Sequence, residues 1–163
     1  MGQKEIYSDQ YLNKILNENK KIASVGVSLN SIRPSYFVSR YLSHRGFTII
    51  PVNPTYAGQI VWGNRAYSQL SDIPKDIDMV QIFRKSEAVP EIVQDAIKYL
   101  PNLKTIWMQI GVIHADAAKM AQNHGLEVIQ NLCPKMEHQR LSGELGKYGI
   151  NTGLITSRLQ PLL

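Results

Sequence analysis

The chain has 163 residues, 18 Lys and Arg against 13 Asp and Glu for a formal net charge of +5, and 44% hydrophobic and 19% charged residues. These are the proportions of one ordinary globular domain with a core of its own, and no run of about 18 apolar residues marks a membrane span. The small basic excess fits either a plain solvated surface or a polyanionic ligand. The scattered cations, with no basic helix, zinc-finger spacing or RNA-binding aromatic motif, argue against nucleic acid.

The first ten residues, MGQKEIYSDQ, hold no apolar stretch, so no secretory signal is expected, and Ile6 stands where a myristoylation motif needs Ser or Thr. Cys133 is the single cysteine, which excludes an internal disulfide framework and points to a reducing, cytoplasmic setting. Tyr11, Leu12, Ile15 and Leu16 form one helical face just after the capping pair Ser8-Asp9. Residues 21–27 read as a first strand. The absence of charge from Ile22 to Val27 predicts burial on both sheet faces. Pro34 and Gly46 bracket a helix with Phe37, Val38, Tyr41 and Leu42 as its buried stripe. A second strand is predicted over 47–52. Residues 55–77 are irregular, with turns at Gly58 and Gly63, a short strand and a single helical turn.

The third strand is predicted over 78–83. Val89, Ile92, Val93, Ala96, Ile97 and Leu100 then follow helical spacing, with Pro90 in the first turn. A fourth strand over 105–108 precedes a helix carrying Ile113, Ala117, Met120 and Ala121, ended by Gly125. Residues 126–130 are the fifth strand. This alternation predicts an α/β fold: a parallel sheet of about five strands with helices on both faces. The predicted domain covers residues 1–142. Residues 143–163, with Gly143, Gly146, Gly149 and Gly153, form a tail.

In such a sheet ligands bind beyond the carboxyl ends of the strands, where strand order reverses. After the first strand, Gly26 lets backbone come close to a ligand or simply makes a turn. Ser28 and Ser35 bring hydroxyls, Arg33 a planar cation, and the helix start at Pro34 an anion-binding end. After the second strand come Asn53 and Pro54, a rigid turn or a contact to an adenosine. No acidic residue follows that strand, as a dinucleotide enzyme would normally require. After the third come Phe83, a base-stacking or core aromatic, then Arg84 and Lys85, cations for a second phosphate or for solvent. Ser86 is expected to cap the next helix. Gln109 comes after the fourth strand and opens on the crevice, and Cys133-Pro134 come after the fifth.

The ordered set GVS-x4-RPS, PVNP, FR-x4-VP, WMQ-x-G and CPK, spread over residues 10–142, resembles the small stand-alone CoA-binding proteins. These are similar to the nucleotide-binding N-terminal domain of the succinyl-CoA synthetase alpha subunit. The resemblance implies a Rossmann-like, doubly wound domain that holds the 3′-phospho-ADP part of coenzyme A. It implies Gly26, Ser28, Arg33 and Ser35 for phosphate, Asn53 and Pro54 beside the nucleotide, Phe83 and Arg84 at the third strand, and Gln109 and Gly111 near the pantetheine path. The synthetase ligates through a phosphorylated histidine in a further domain, which these 163 residues do not include. His44, His114, His124 and His138 fall in no comparable motif and are expected at the surface. The resemblance therefore supplies a ligand and not a reaction.

Catalytic signals are thin. Cys133 has Lys135 and His138 close in sequence, which would lower its pKa. It is either inert or able to form a mixed disulfide with CoA. Asp72, Asp76 and Asp78 precede the third strand, at the wrong edge for a ligand, and are expected in turns and caps. No metal-ligand spacing and no Walker A loop occur. The leading expectation is a non-catalytic CoA or acyl-CoA binding module, with a protein partner or homo-oligomer left open. Two alternatives stand beside it: an NAD(P)-dependent oxidoreductase, for which Arg65 is the nearest basic residue, and an interaction subunit with a vestigial pocket.

Overall fold

The structure is a computed structural model in which residues 6–141 are described; the predicted tail, 143–163, lies outside them. Helix α1 (Asp9–Glu18) opens the fold. Its cap is the expected one, since the Tyr11 backbone N–H donates to Ser8 Oγ at 3.1 Å. The main sheet contains β1 (Lys21–Val25), β2 (Thr48–Val52), β5 (Met79–Ile82), β6 (Thr105–Met108) and β7 (Glu127–Ile129). All pair in parallel, in the order β2-β1-β5-β6-β7. Strands β3 (Ile60–Val61) and β4 (Asn64–Arg65) form a separate antiparallel hairpin. The remaining helices are α2 (Pro34–Ser43), α3 (Val89–Tyr99), α4 (Ala115–Asn123) and α5 (Pro134–Leu141). This is the Rossmann-like α/β architecture.

Strand alternation divides the core in two. Ile22, Ile49, Met79, Trp107 and Ile129 face α1, α2 and α5. Ala23, Ile50, Val80, Ile82, Ile106, Met108 and Val128 face α3 and α4, meeting Val89, Val93, Ala96, Ala117 and Ala121. With both faces covered, the strands carry no charge in their interiors and read as nearly continuous apolar runs, broken only by small or buried polar residues such as Ser24 and Gln81. The chain steps from β1 to β2 on one side and returns past β1 to β5 on the other. Strand order therefore reverses between β1 and β5, and the crevice of the fold opens at their carboxyl ends.

Several local expectations change. Three strands end one or two residues earlier than predicted, β1 at Val25, β5 at Ile82 and β7 at Ile129, and at β1 it is Gly26 (φ +85°) that turns the chain out of the sheet. Residues 54–72 hold the hairpin and two 3₁₀ turns, Pro54–Tyr56 and Leu70–Asp72, instead of one strand and one turn. Ile113 is exposed and precedes α4, which starts at the cap His114, whose Nδ1 accepts from the Ala117 N–H at 3.1 Å. Ser86 does not cap α3 by its side chain; its hydroxyl accepts from the Ile113 N–H at 3.0 Å. On α2 the buried positions are Ser35, Val38, Ser39 and Leu42, while Phe37 and Tyr41 are half-buried at the α5 seam. Small serines let α2 approach the sheet, where Ser39 and Ser24 place their hydroxyls 3.3 Å apart.

At the amino edge the acidic residues serve the fold as predicted. Asp78 accepts from the Lys20 and Lys21 N–H groups, and Asp76 pairs with Lys21 at 2.7 Å. The Lys21 side chain holds the Asp76 carboxyl below its usual pKa. Among the described residues no helix is long and apolar enough to cross a membrane.

Candidate nucleotide-binding cleft

The site is built from the turn after β1. A Cβ on Gly26 would lie 2.8 Å from Arg84 Cδ and 3.3 Å from the Phe83 carbonyl carbon. Only glycine accepts both the positive φ and the Arg84 stem laid across the turn. Beyond it the loop into α2 is prefolded. The Ser28 N–H donates to Ser35 Oγ (2.9 Å), the Asn30 N–H to Ser28 Oγ (3.0 Å), and the Ile32 N–H to Asn30 Oδ1 (3.2 Å). Both serine oxygens already accept a bond, so each keeps its hydroxyl hydrogen for another acceptor. Arg33 is the N-cap of α2 but makes no capping hydrogen bond, and no acid lies in the first turn. The positive end of the helix dipole is therefore left without a side-chain anion.

Asn53, after β2, ties three pieces together. Its Oδ1 accepts from the Thr55 N–H (3.0 Å) and its Nδ2 donates to the Val27 carbonyl (2.9 Å). Its backbone N–H reaches Tyr67 O at 2.8 Å. Between this corner and α3 lies an open cleft of about 240 Å³. Its floor is Val25, Gly26 and Val52; Asn53, Pro54 and Arg84 stand on one rim. Ser68, Gln69 and Leu70 close a second side, and Glu91, Ile92 and Asp95 of α3 a third.

Four of the predicted residues, Gly26, Asn53, Pro54 and Arg84, thus line one cleft. Ser28, Arg33 and Ser35 cluster at the adjoining start of α2. Phe83 and Gln109 are not brought to the cleft. Phe83 packs against the α2 side of the core, and Gln109 is buried beside Cys133. Both continue the alternation that puts Trp107 on that face. Gly111 (φ +84°) is exposed, its N–H donating to Asn131 Oδ1 at 2.8 Å. Lys85 is exposed as well. Sequence reasoning missed Ser68, Gln69, Leu70, Glu91, Ile92 and Asp95. Glu91 and Asp95 lie four apart on one helical face just after a strand end, a signal that was available. Residues 68–70 carry none, because they are placed by Tyr67 bridging to Val52.

The lowering of the thiol pKa expected from Lys135 and His138 is not found. Burial pushes the Cys133 pKa up, against smaller lowering effects from the Met136 and Lys135 backbone, the Gln109 side chain and the Lys135 charge. His138 turns away from it: its Nδ1 meets Tyr41 Oη at 2.8 Å, half-buried between α2 and α5 rather than at the surface. Burial, with the Lys20 and Arg45 cations nearby, lowers the His138 pKa. Among the described residues no group of three or more His, Cys, Asp or Glu is placed to hold a metal ion.

The family model described as a CoA binding domain matches residues 20–139, which run from β1 through most of α5. The chain belongs to the CoA-binding domain family. As a CoA-binding domain it is 35% identical over 127 residues to the protein YneT of Bacillus subtilis (strain 168), covering 78% of this chain and 91% of the relative. It is 35% identical to the crystal structure of Prb, a PH1109 protein redesigned for binding, with a TM-score of 0.79 over 86% of this chain and 96% of that one. It is 30% identical to the structure of cell-free ID.343 from Thermus thermophilus, with a TM-score of 0.77 over 83% of this chain and 99% of that one.

Proposed function

We infer that this chain binds coenzyme A, or an acyl-CoA, by its phospho-ADP end, and that it acts as a binding module without a reaction of its own. The observation that carries this is the cleft at the β1/β5 switch point, floored by Gly26 and edged by Arg84, in a chain of the CoA-binding domain family. The residues present fit such a ligand. Arg84 and Arg33 supply exposed cations, and the uncapped start of α2 supplies backbone N–H groups for phosphate oxygens. Glu91, Asp95 and Gln69 line the other side, where acceptors suit the hydroxyl and amino donors of an adenosine better than a phosphate. In this reading the phosphates lie toward α2 and the nucleoside toward α3. Among the described residues the cleft lining contains Ser68 but no histidine, lysine or cysteine beside it to activate it as a nucleophile.

Titration calorimetry with CoA, dephospho-CoA, NAD and NADP tests the reading. CoA is expected to bind, and dephospho-CoA more weakly for want of the 3′-phosphate. Arg33→Ala and Arg84→Ala should each weaken CoA binding by about 10- to 100-fold, the loss of one charge-assisted contact. Both side chains are exposed, so the unfolding midpoint should hardly move. A preference for NAD or NADP would overturn the assignment.

A further inference from the structure

The cleft holds about 240 Å³, less than the roughly 300–1,000 Å³ in which proteins bury a whole drug-sized ligand, so it takes one part of a CoA molecule. Its lining says which part. Val25, Val52, Pro54, Leu70 and Ile92 give it apolar walls, which suit the two faces of a flat heterocycle. Ala88, Glu91, Ile92 and Asp95 recur at i, i+3, i+4 and i+7, so one face of α3 forms a wall and brings two carboxylates to the same side. That side repels a phosphate. The base is the part of the ligand that is both flat and able to donate hydrogen bonds from its edge.

The polar groups of the lining differ in what they can distinguish. Ser68 and Gln69 both donate and accept, so they meet an amino or an oxo group equally well, whereas a carboxylate only accepts. Arg84 only donates, but it stands on the opposite rim with its stem across the Gly26 turn. Helix α3 runs from the carboxyl edge of the sheet back toward the amino edge, so Asp95 lies about 6 Å deeper along the helix axis than Glu91. Accordingly Asp95 is half-buried where Glu91 is exposed. Among the described residues neither carboxylate is held in an ion pair or a side-chain hydrogen bond, so the Asp95 oxygens can serve a donor of the ligand.

We propose that Asp95 selects the base of the ligand: it accepts a hydrogen bond from the 6-amino group of adenine and so favours a 6-aminopurine over a 6-oxopurine. With a 6-oxopurine in the same position an oxo acceptor faces the carboxylate, and two acceptors with no proton between them repel. The proposal rests on the CoA-binding reading and deepens it, because it assigns recognition of the base to one residue of α3.

The test is titration calorimetry of the full chain with CoA and with deamino-CoA, which carries hypoxanthine in place of adenine and is otherwise the same molecule. Deamino-CoA is expected to bind about 10- to 100-fold more weakly, the range of one hydrogen bond to a charged group. Asp95→Asn keeps the shape of the side chain and gives it a donor as well as an acceptor. Its preference for CoA should shrink to about threefold or less, CoA binding more weakly and deamino-CoA more tightly than to the parent. A residue that only supports the helix would change both affinities by the same factor. The urea midpoint of the variant, measured on the same sample, checks that it is folded. Equal binding of CoA and deamino-CoA to the parent chain, which needs no variant, would overturn the proposal and leave the CoA-binding reading standing. An Asp95→Asn variant that keeps the parent's full preference would do the same. If CoA itself does not bind, both fall.

Discussion

Gly26 joins the backbone of β1 to the side chain of Arg84, and a single methyl group separates the two roles a glycine can have there. Gly26→Ala imposes a positive φ on an L-residue, at a cost of about 1–2 kcal/mol. It also brings a Cβ to 2.8 Å from Arg84 Cδ, so the Arg84 side chain must leave the turn. The expected outcome is a moderately destabilised, folded protein whose CoA affinity falls as in Arg84→Ala; urea denaturation and calorimetry on the same sample would check it. Retained affinity would show that the position of Arg84 does not matter to the ligand. The sequence marked Gly26 as a close approach to a ligand or a plain turn. It did not show what fills the space, because a glycine records only that something comes close. Asn53 is the parallel case. Its side chain was expected beside the nucleotide; Asn53 lines the cleft, and its amide bonds to Thr55 and Val27 also hold two loops together.

At the scale of elements, near-continuous apolar character made the five main strands legible, because a strand covered on both faces carries few polar residues, here Ser24, Gln81 and Thr105. The residues just past each strand end were less legible. Once the chain leaves the sheet, alternation no longer says which face a residue serves, and so Phe83 was grouped with Arg84, and Gln109 with Gly111, although Phe83 and Gln109 fall on the face away from the cleft. The start of α4 was misplaced for a related reason. Ile113 fits the apolar spacing, yet the helix is started by a polar group, His114 Nδ1, accepting from Ala117 N–H. His114→Ala should therefore cost about 0.5–2 kcal/mol, and His114→Asn, a better N-cap, should recover most of it. Urea unfolding of the two variants decides the point; equal losses would mean that the ring contributes by packing and not as a cap.

For the molecule as a whole, the sheet separates two cores with different duties. The α3 side frames the cleft, while the α1–α5–α2 side carries buried polar and titratable groups, among them Ser24, Ser39, Gln81, Gln109, Cys133 and Lys135, and the half-buried His138. That second core gives the fold a predictable response to acid. His138 lies between α2 and α5, against Tyr41 and edge-on to Phe47, with Lys20 and Arg45 close enough to oppose a further positive charge. Its folded pKa is lowered from the usual 6.5, first by burial and then by those two cations. Below 6.5 the unfolded chain binds the proton before the folded one, so stability must fall as the pH drops through this window. One such group contributes a slope of at most about 1.4 kcal/mol per pH unit. His138→Phe keeps an aromatic ring against Phe47 and removes the titration. Its stability at pH 7 should drop with loss of the Tyr41 bond, but between about pH 6.5 and 5, above the ordinary carboxylate range, its profile should be flatter than the parent's. Urea midpoints at several pH values across that range measure both effects. A variant profile as steep as the parent's would move the acid sensitivity from the α2–α5 seam to another part of the molecule.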